Sequence, residues 1–186
     1  AVRWYMITNS SPWDNLSFDP KGVKEVTSQF FIKLQQAYSF FTMYANVDGF
    51  EYKEADIDYN DRPDFDRWLL SELNTLVKNV QTYFDDLDMT PAGRLIQSFV
   101  VDNLSNWYIR LNKPRFWGGE MTQDKLSAYQ TLYTCLETLS RLIAPIAPFY
   151  ADQLYCDLKA PVGGDSAASV HLAKFPTFNE AYIDRE

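Results

Sequence analysis

Apolar side chains recur at steps of three and four along most of this chain, and that spacing confines it to packed helices. Val23, Val26, Phe30, Leu34, Ala37, Phe41 and Tyr44 share one face of a helical wheel, which predicts a long helix over 22–45. Leu69, Leu73, Leu76, Val80, Tyr83 and Phe84 form a second stripe behind Pro63, a residue suited to a helix's first turn. Thr90-Pro91 reads as an N-cap and first helical position, opening a third helix over 91–111 that ends before Pro114. Thr122 suits the cap of a fourth, with the stripe Leu126, Tyr129, Leu132, Tyr133, Leu136, Leu139 and Ile143. Pro145 and Pro148 then interrupt, and a short fifth helix runs to Leu158. Only seven glycines occur, too few for a turn-rich β fold. The fold class is therefore all-α, an antiparallel helix bundle with a short irregular C-terminal tail. Phe30, Phe41, Leu73, Val80, Phe99, Leu132 and Leu136 are its predicted core.

The links are polar. Residues 46–60 hold the turn signal Asp48-Gly49 and five acids, a solvated connection. Glu51 to Asp66 carries seven acids within 16 residues but lacks the spacing of a calcium loop, so it reads as a solvated face turned away from any RNA. The segment 10–16 is irregular, with Trp13 as its expected packing anchor. APVGGDSAAS, 160–169, reads as a mobile loop, and Ser169-Val-His-Leu as a short extended segment. The chain opens as if within a helix, without Met, and closes on what looks like a helix start, so it reads as a piece of a longer protein.

Charge narrows the function. The 186 residues carry a net charge of -8, which opposes non-specific binding to nucleic acid or anionic membrane. Yet no Asp or Glu occurs in 103–119, where Arg110, Lys113 and Arg115 stand between the pairs Trp107-Tyr108 and Phe116-Trp117. Cations with flat aromatic surface suit a phosphate backbone and exposed bases. On the wheel, the core stripe of Ile96, Phe99 and Val100 continues into Asn103, Asn106, Trp107 and Arg110. Either that face leaves the core to meet a ligand, or Asn103 and Arg110 bond to a neighbouring part of the fold. Lys113, Arg115 and Trp117 follow beyond the expected helix end.

Catalytic and metal signatures are missing from the sequence. His171 stands alone, reading as a solvent-facing or core-edge histidine, and no CxxC, GxSxG or Gly-rich phosphate loop occurs. Cys135 and Cys156 sit in apolar helical patterns and read as buried free thiols of a reducing compartment. No signal peptide is visible, and no stretch reaches the ~18 apolar residues of a membrane helix.

Several segments together resemble the part of isoleucyl-tRNA synthetases that follows the catalytic domain. They are RWYMITNSSPWDNLSFD (3–19), the 30–49 helix ending in YANVDGF, DRWLLSELN (66–74), DNLSNWYIRLNKPRFW (102–117), IAPIAPF (143–149) and SVHLAKFP (169–176). The resemblance implies a stem-contact region over 1–19, a helical anticodon-binding bundle over 20–160, and a loop with the start of a C-terminal extension over 161–186. It implies a cytoplasmic, monomeric isoleucine–tRNA ligase whose ATP- and Mg-dependent aminoacylation belongs to other domains. The HIGH- and KMSKS-type signatures are absent from this sequence. Catalytic residues, cofactor and metal are thus expected to be none in this piece. Its partners would be isoleucine tRNA and the catalytic and C-terminal domains of the same chain, and not a membrane. By the same resemblance Asn103, Trp107, Arg110, Lys113, Arg115 and Trp117 face RNA. Gln36 stands where relatives place an anticodon-associated asparagine. The related valine enzymes share the helix plan but carry an acid where this chain has Arg110. A helical protein-interaction module is the alternative of another class, and a metal- or ligand-binding bundle enzyme ranks last because no ExxH ligand set occurs.

Overall fold

The computed structural model describes residues 1–163 and 167–184, and every regular element among them is helical. The elements are α1 (Val2–Asn9), α2 (Pro20–Val26), α3 (Ile32–Asp48), α4 (Asp64–Asp85), α5 (Met89–Ser98), α6 (Arg110–Trp117), α7 (Gln123–Ile143) and α8 (Pro148–Lys159). A π-helical turn, Thr27–Phe31, joins α2 to α3 without a break, and a longer π-helical stretch, Phe99–Ile109, joins α5 to α6. The chain therefore has one rod over 20–48 and another over 89–117, each longer than its wheel predicted.

Local chemistry explains three of the boundaries. Asp19 accepts the Lys21 amide at 2.9 Å and Pro20 opens α2, the usual N-cap and first-position pair. Gly49, at φ 69°, closes α3 in the left-handed conformation that a side chain disfavours. Thr122 caps α7 by accepting the Lys125 amide at 3.2 Å. Sixteen of the 21 residues of α7 are buried, which makes it the central helix, with α3, α4 and α8 around it. All seven predicted core residues are buried; both cysteines are free thiols, Cys135 buried as expected and Cys156 only half-buried.

Several sequence expectations are corrected. Thr90 is not the N-cap of α5. Helix α5 starts at Met89, and the Thr90 hydroxyl instead donates 2.7 Å to the Ile7 carbonyl, tying α5 to α1. Helix α1 is integral to the bundle: Trp4 is fully buried and stacks on Phe30 at 4.3 Å, and the Arg94 guanidinium caps the Thr8 and Asn9 carbonyls. Gly93 permits this approach, since a Cβ there would meet Thr8 Cγ2 at 2.7 Å. Trp13 is no anchor, being 72% exposed. Val170–Leu172 forms a 3₁₀ turn, not an extended segment, because Asp152 accepts both the Ser169 hydroxyl and the Val170 amide and curls the chain. The closing segment forms a single 3₁₀ turn, Glu180–Tyr182, against α4. The loop expectation for 164–166, and that for 185–186, lie outside the described residues.

The largest correction concerns the basic segment. It lies within a helix that passes through Pro114 to Trp117. An interior proline costs about 3 kcal/mol, so tertiary anchors must hold the last turn. Phe116 supplies one, buried between Phe40 at 5.1 Å and Tyr129 at 5.0 Å. The other is the ion-pair network described below. In this rod Ile96, Val100, Leu104, Tyr108, Asn112 and Phe116, every fourth residue, are all buried. In a pure α-helix those five steps would rotate the face by about 200°. The wider π turns oppose that drift, and the rod changes neighbours from α1 and α4 to α3 and then α7 as it goes.

Candidate nucleic-acid interface

The π stretch and α6 divide their side chains cleanly. Trp107, Arg110, Leu111, Lys113, Pro114 and Trp117 point outward, with Trp107 58% and Trp117 63% exposed. Positions 107, 110, 111, 114 and 117 share a helical face, so two indoles bracket a turn carrying Arg110, with Lys113 beside it. Among the described residues neither Arg110 nor Lys113 makes an ion pair. The side is open, with charge unspent and aromatic surface uncovered.

Its inner side is fully engaged. Asp66, at the start of α4, is completely buried. Its Oδ1 accepts Arg115 Nη1 at 2.6 Å and the Tyr108 hydroxyl at 2.7 Å, and its Oδ2 accepts Arg115 Nη2 at 2.9 Å and the Ser127 hydroxyl at 2.5 Å. Arg115 also donates from Nε to Asp124 at 2.9 Å and from Nη2 to the Asp124 carbonyl at 2.7 Å. Asn112 accepts from Arg115 and donates back to the Tyr108 carbonyl at 2.9 Å. One turn on, buried Lys125 pairs with Asp48 at 2.5 Å and donates to the Gly118 carbonyl, while the Tyr129 hydroxyl donates to Asp48.

The charges settle accordingly. Burial works against the Arg115 cation, but hydrogen bonds to Asp66 and Asp124 outweigh it and raise the guanidinium above its ordinary value. Burial, reinforced by the Asp66 charge, drives the Tyr108 phenol well above 10.0, so it remains a protonated donor. Burial opposes ionisation of Asp48, yet the hydrogen bonds from Lys125 and Tyr129 hold its carboxyl below 3.8.

The residues expected to face RNA thus separate. Trp107, Arg110, Lys113 and Trp117 lie together in the open. Gln36 is exposed on α3, one turn before Phe40, which touches Phe116 of the rod. Arg115 is turned inward onto two carboxylates. Asn103 is half-buried and donates to Glu72 of α4 at 2.9 Å, the bond to a neighbouring helix that the sequence left open. Asp66 does not belong to a solvated acidic face, as its place in the 51–66 run had suggested. It lies beneath the basic segment because only there can it find four donors. Sequence reasoning also missed Asp124, Asn112 and Ser127 and the inward turn of Tyr108; nothing in one dimension set Asp66 apart from the acids before it.

Comparison with known proteins decides the family. The family model described as the anticodon-binding domain of tRNA ligase matches residues 66–186. This chain belongs to the anticodon-binding domains of tRNA ligases. It is 66% identical over 185 residues to an isoleucine–tRNA ligase of Bacteroides fragilis and 64% identical to that of Bacteroides thetaiotaomicron, in both cases over the whole of this chain. A Dehalococcoides mccartyi isoleucine–tRNA ligase is 49% identical over 186 residues. The chain spans only 16–18% of the length of these relatives. The matched region begins at Asp66, so the family domain contains both the ion-pair network and the open face. No helix of the described residues is long and apolar enough to cross a membrane.

Proposed function

We propose that this chain is the anticodon-binding part of a cytoplasmic, monomeric isoleucine–tRNA ligase and that it holds the anticodon stem-loop of isoleucine tRNA. One observation carries the assignment of the face: two unpaired cations stand between two exposed tryptophans on one helix of an acidic chain. Arg110 and Lys113 contact phosphates and set the register, while Trp107 and Trp117 offer ring faces to unstacked bases. Gln36 supplies an amide from the neighbouring helix. Aminoacylation, with ATP and Mg, is carried out by other parts of the protein.

The test is Arg110→Ala. In the complete enzyme it lowers tRNA aminoacylation and leaves the ATP–isoleucine step unchanged. Loss of both steps together, or of neither, overturns the assignment. A second reading, a docking face for another protein, is favoured by Leu111, 48% exposed between the tryptophans. Salt separates the two, since phosphate contacts weaken steeply with ionic strength and an apolar interface does not.

A further inference from the structure

We propose that Asp66, a buried acid, is required for RNA binding because it positions the open face of α6 through Arg115. The inference rests on the reading of that face as the RNA contact. The last turn of α6 is poorly held by its own backbone: Pro114 lacks an amide hydrogen, and Gly118-Gly119 follow at once. What fixes Lys113 and Trp117 in space are the two residues between them that turn inward, Phe116 into the core and Arg115 onto carboxylates. Arg115 reaches α4 through both oxygens of Asp66 and α7 through Asp124, so one side chain ties three helices. Asp66 has its four acceptor positions filled and no exposed surface. Its charge is spent on Arg115 and does not face the phosphate chain. Arg115 is then a positioning residue, and the cations that touch RNA are its neighbours.

The sign of one substitution separates this from direct contact. Asp66→Asn removes one of the two carboxylates that hold the Arg115 guanidinium and leaves Asp124 as the other. If Arg115 bound phosphate, that loosening would leave RNA affinity equal or higher. If Arg115 positions α6, affinity falls by several-fold, in step with Arg115→Ala. Arg115→Lys gives a second, gentler variant: it keeps the positive charge but cannot fork onto Asp66 and reach Asp124 together. Direct contact predicts near-parental binding for it, positioning predicts loss.

The experiment measures binding of the whole chain to a labelled isoleucine-tRNA anticodon stem-loop over a range of salt, at a temperature where circular dichroism shows each variant folded. The expected result is weaker binding by Asp66→Asn, Arg115→Ala and Arg115→Lys. Leu132→Ala, a core truncation on α7, is the control for general destabilisation and leaves affinity unchanged while folded. Parental or tighter binding by Asp66→Asn or Arg115→Lys overturns the proposal. So does an equal loss in Leu132→Ala. Arg110→Ala is run alongside: if it too leaves binding unchanged, the reading of the face has failed, not only the role of Asp66.

Discussion

Tyr108→Phe removes a single oxygen from the centre of the network, and the structure sets its cost. The hydroxyl donates 2.7 Å to Asp66 Oδ1 in a fully buried position, beside the 2.6 Å bond from Arg115 to the same atom. Hydrogen bonds to charged groups are worth about 1.5–3 kcal/mol. Asp66 keeps three donors after the substitution, two from Arg115 and one from Ser127. The carboxylate is therefore not orphaned, and the loss belongs at the lower end, about 1.5–2 kcal/mol. For a chain of this size that corresponds to a fall in Tm of roughly 3–8 °C. Thermal and urea unfolding followed by circular dichroism measure it, with an unchanged m-value showing that the folded state is otherwise intact. Combining it with Ser127→Ala gives a double-mutant cycle, and the two losses couple because both hydroxyls serve one carboxylate. A Tyr108→Phe protein as stable as the parent, or strict additivity with Ser127→Ala, refutes the network as the anchor of α6.

Two pH effects follow from other buried groups. Asp48 is held below 3.8 by Lys125 and Tyr129, so its stabilising charge is complete above that value and is lost as pH falls through the lower folded one. Asp48→Asn should flatten the parental decline in acid unfolding experiments, and an unaltered acid limb contradicts the pairing. At the other extreme, burial pushes the Tyr52 and Tyr150 phenols up to about 12, and carries those of Tyr129 and Tyr133 higher still. Their contribution is intact below 10.0 and is lost as pH climbs towards the folded values. In an alkaline titration these phenolates should appear together with unfolding; early, gradual ionisation of all 12 tyrosines would show that the rings are not sealed.

Periodicity made most of the fold legible. The stripes read for α3, α4 and α7 are buried or half-buried where a wheel puts them, although α7 is buried on its other sides too. The helix over 91–111 was read as well, but its inner face was not, because the wheel assumes one turn size. The π stretch, Phe99–Ile109, breaks that assumption and brings Tyr108 and Asn112 inward, although regular helical geometry turns Tyr108 away from the Ile96 face. Pro114 misled for a related reason, since local rules cannot weigh a buried Phe116 or a forked Arg115 against a missing amide. The open half of the candidate site was readable from composition, because cations and indoles crowd a segment free of acids. The inner half was not. Arg115 and Arg110 look alike in one dimension, and only the approach of α4 and α7 gives one of them to carboxylates and leaves the other free. Asp66 was hidden among the acids of 51–66 for the same reason.

The most direct test of the account is the salt dependence of binding between this chain and the isoleucine-tRNA anticodon stem-loop, compared for the parent and the Arg110→Ala/Lys113→Ala protein. If the two free cations hold phosphates of single-stranded RNA, the log–log slope becomes shallower by about 1.4 in the double variant. Equal slopes for the two proteins would mean that the open face of α6 does not meet the RNA.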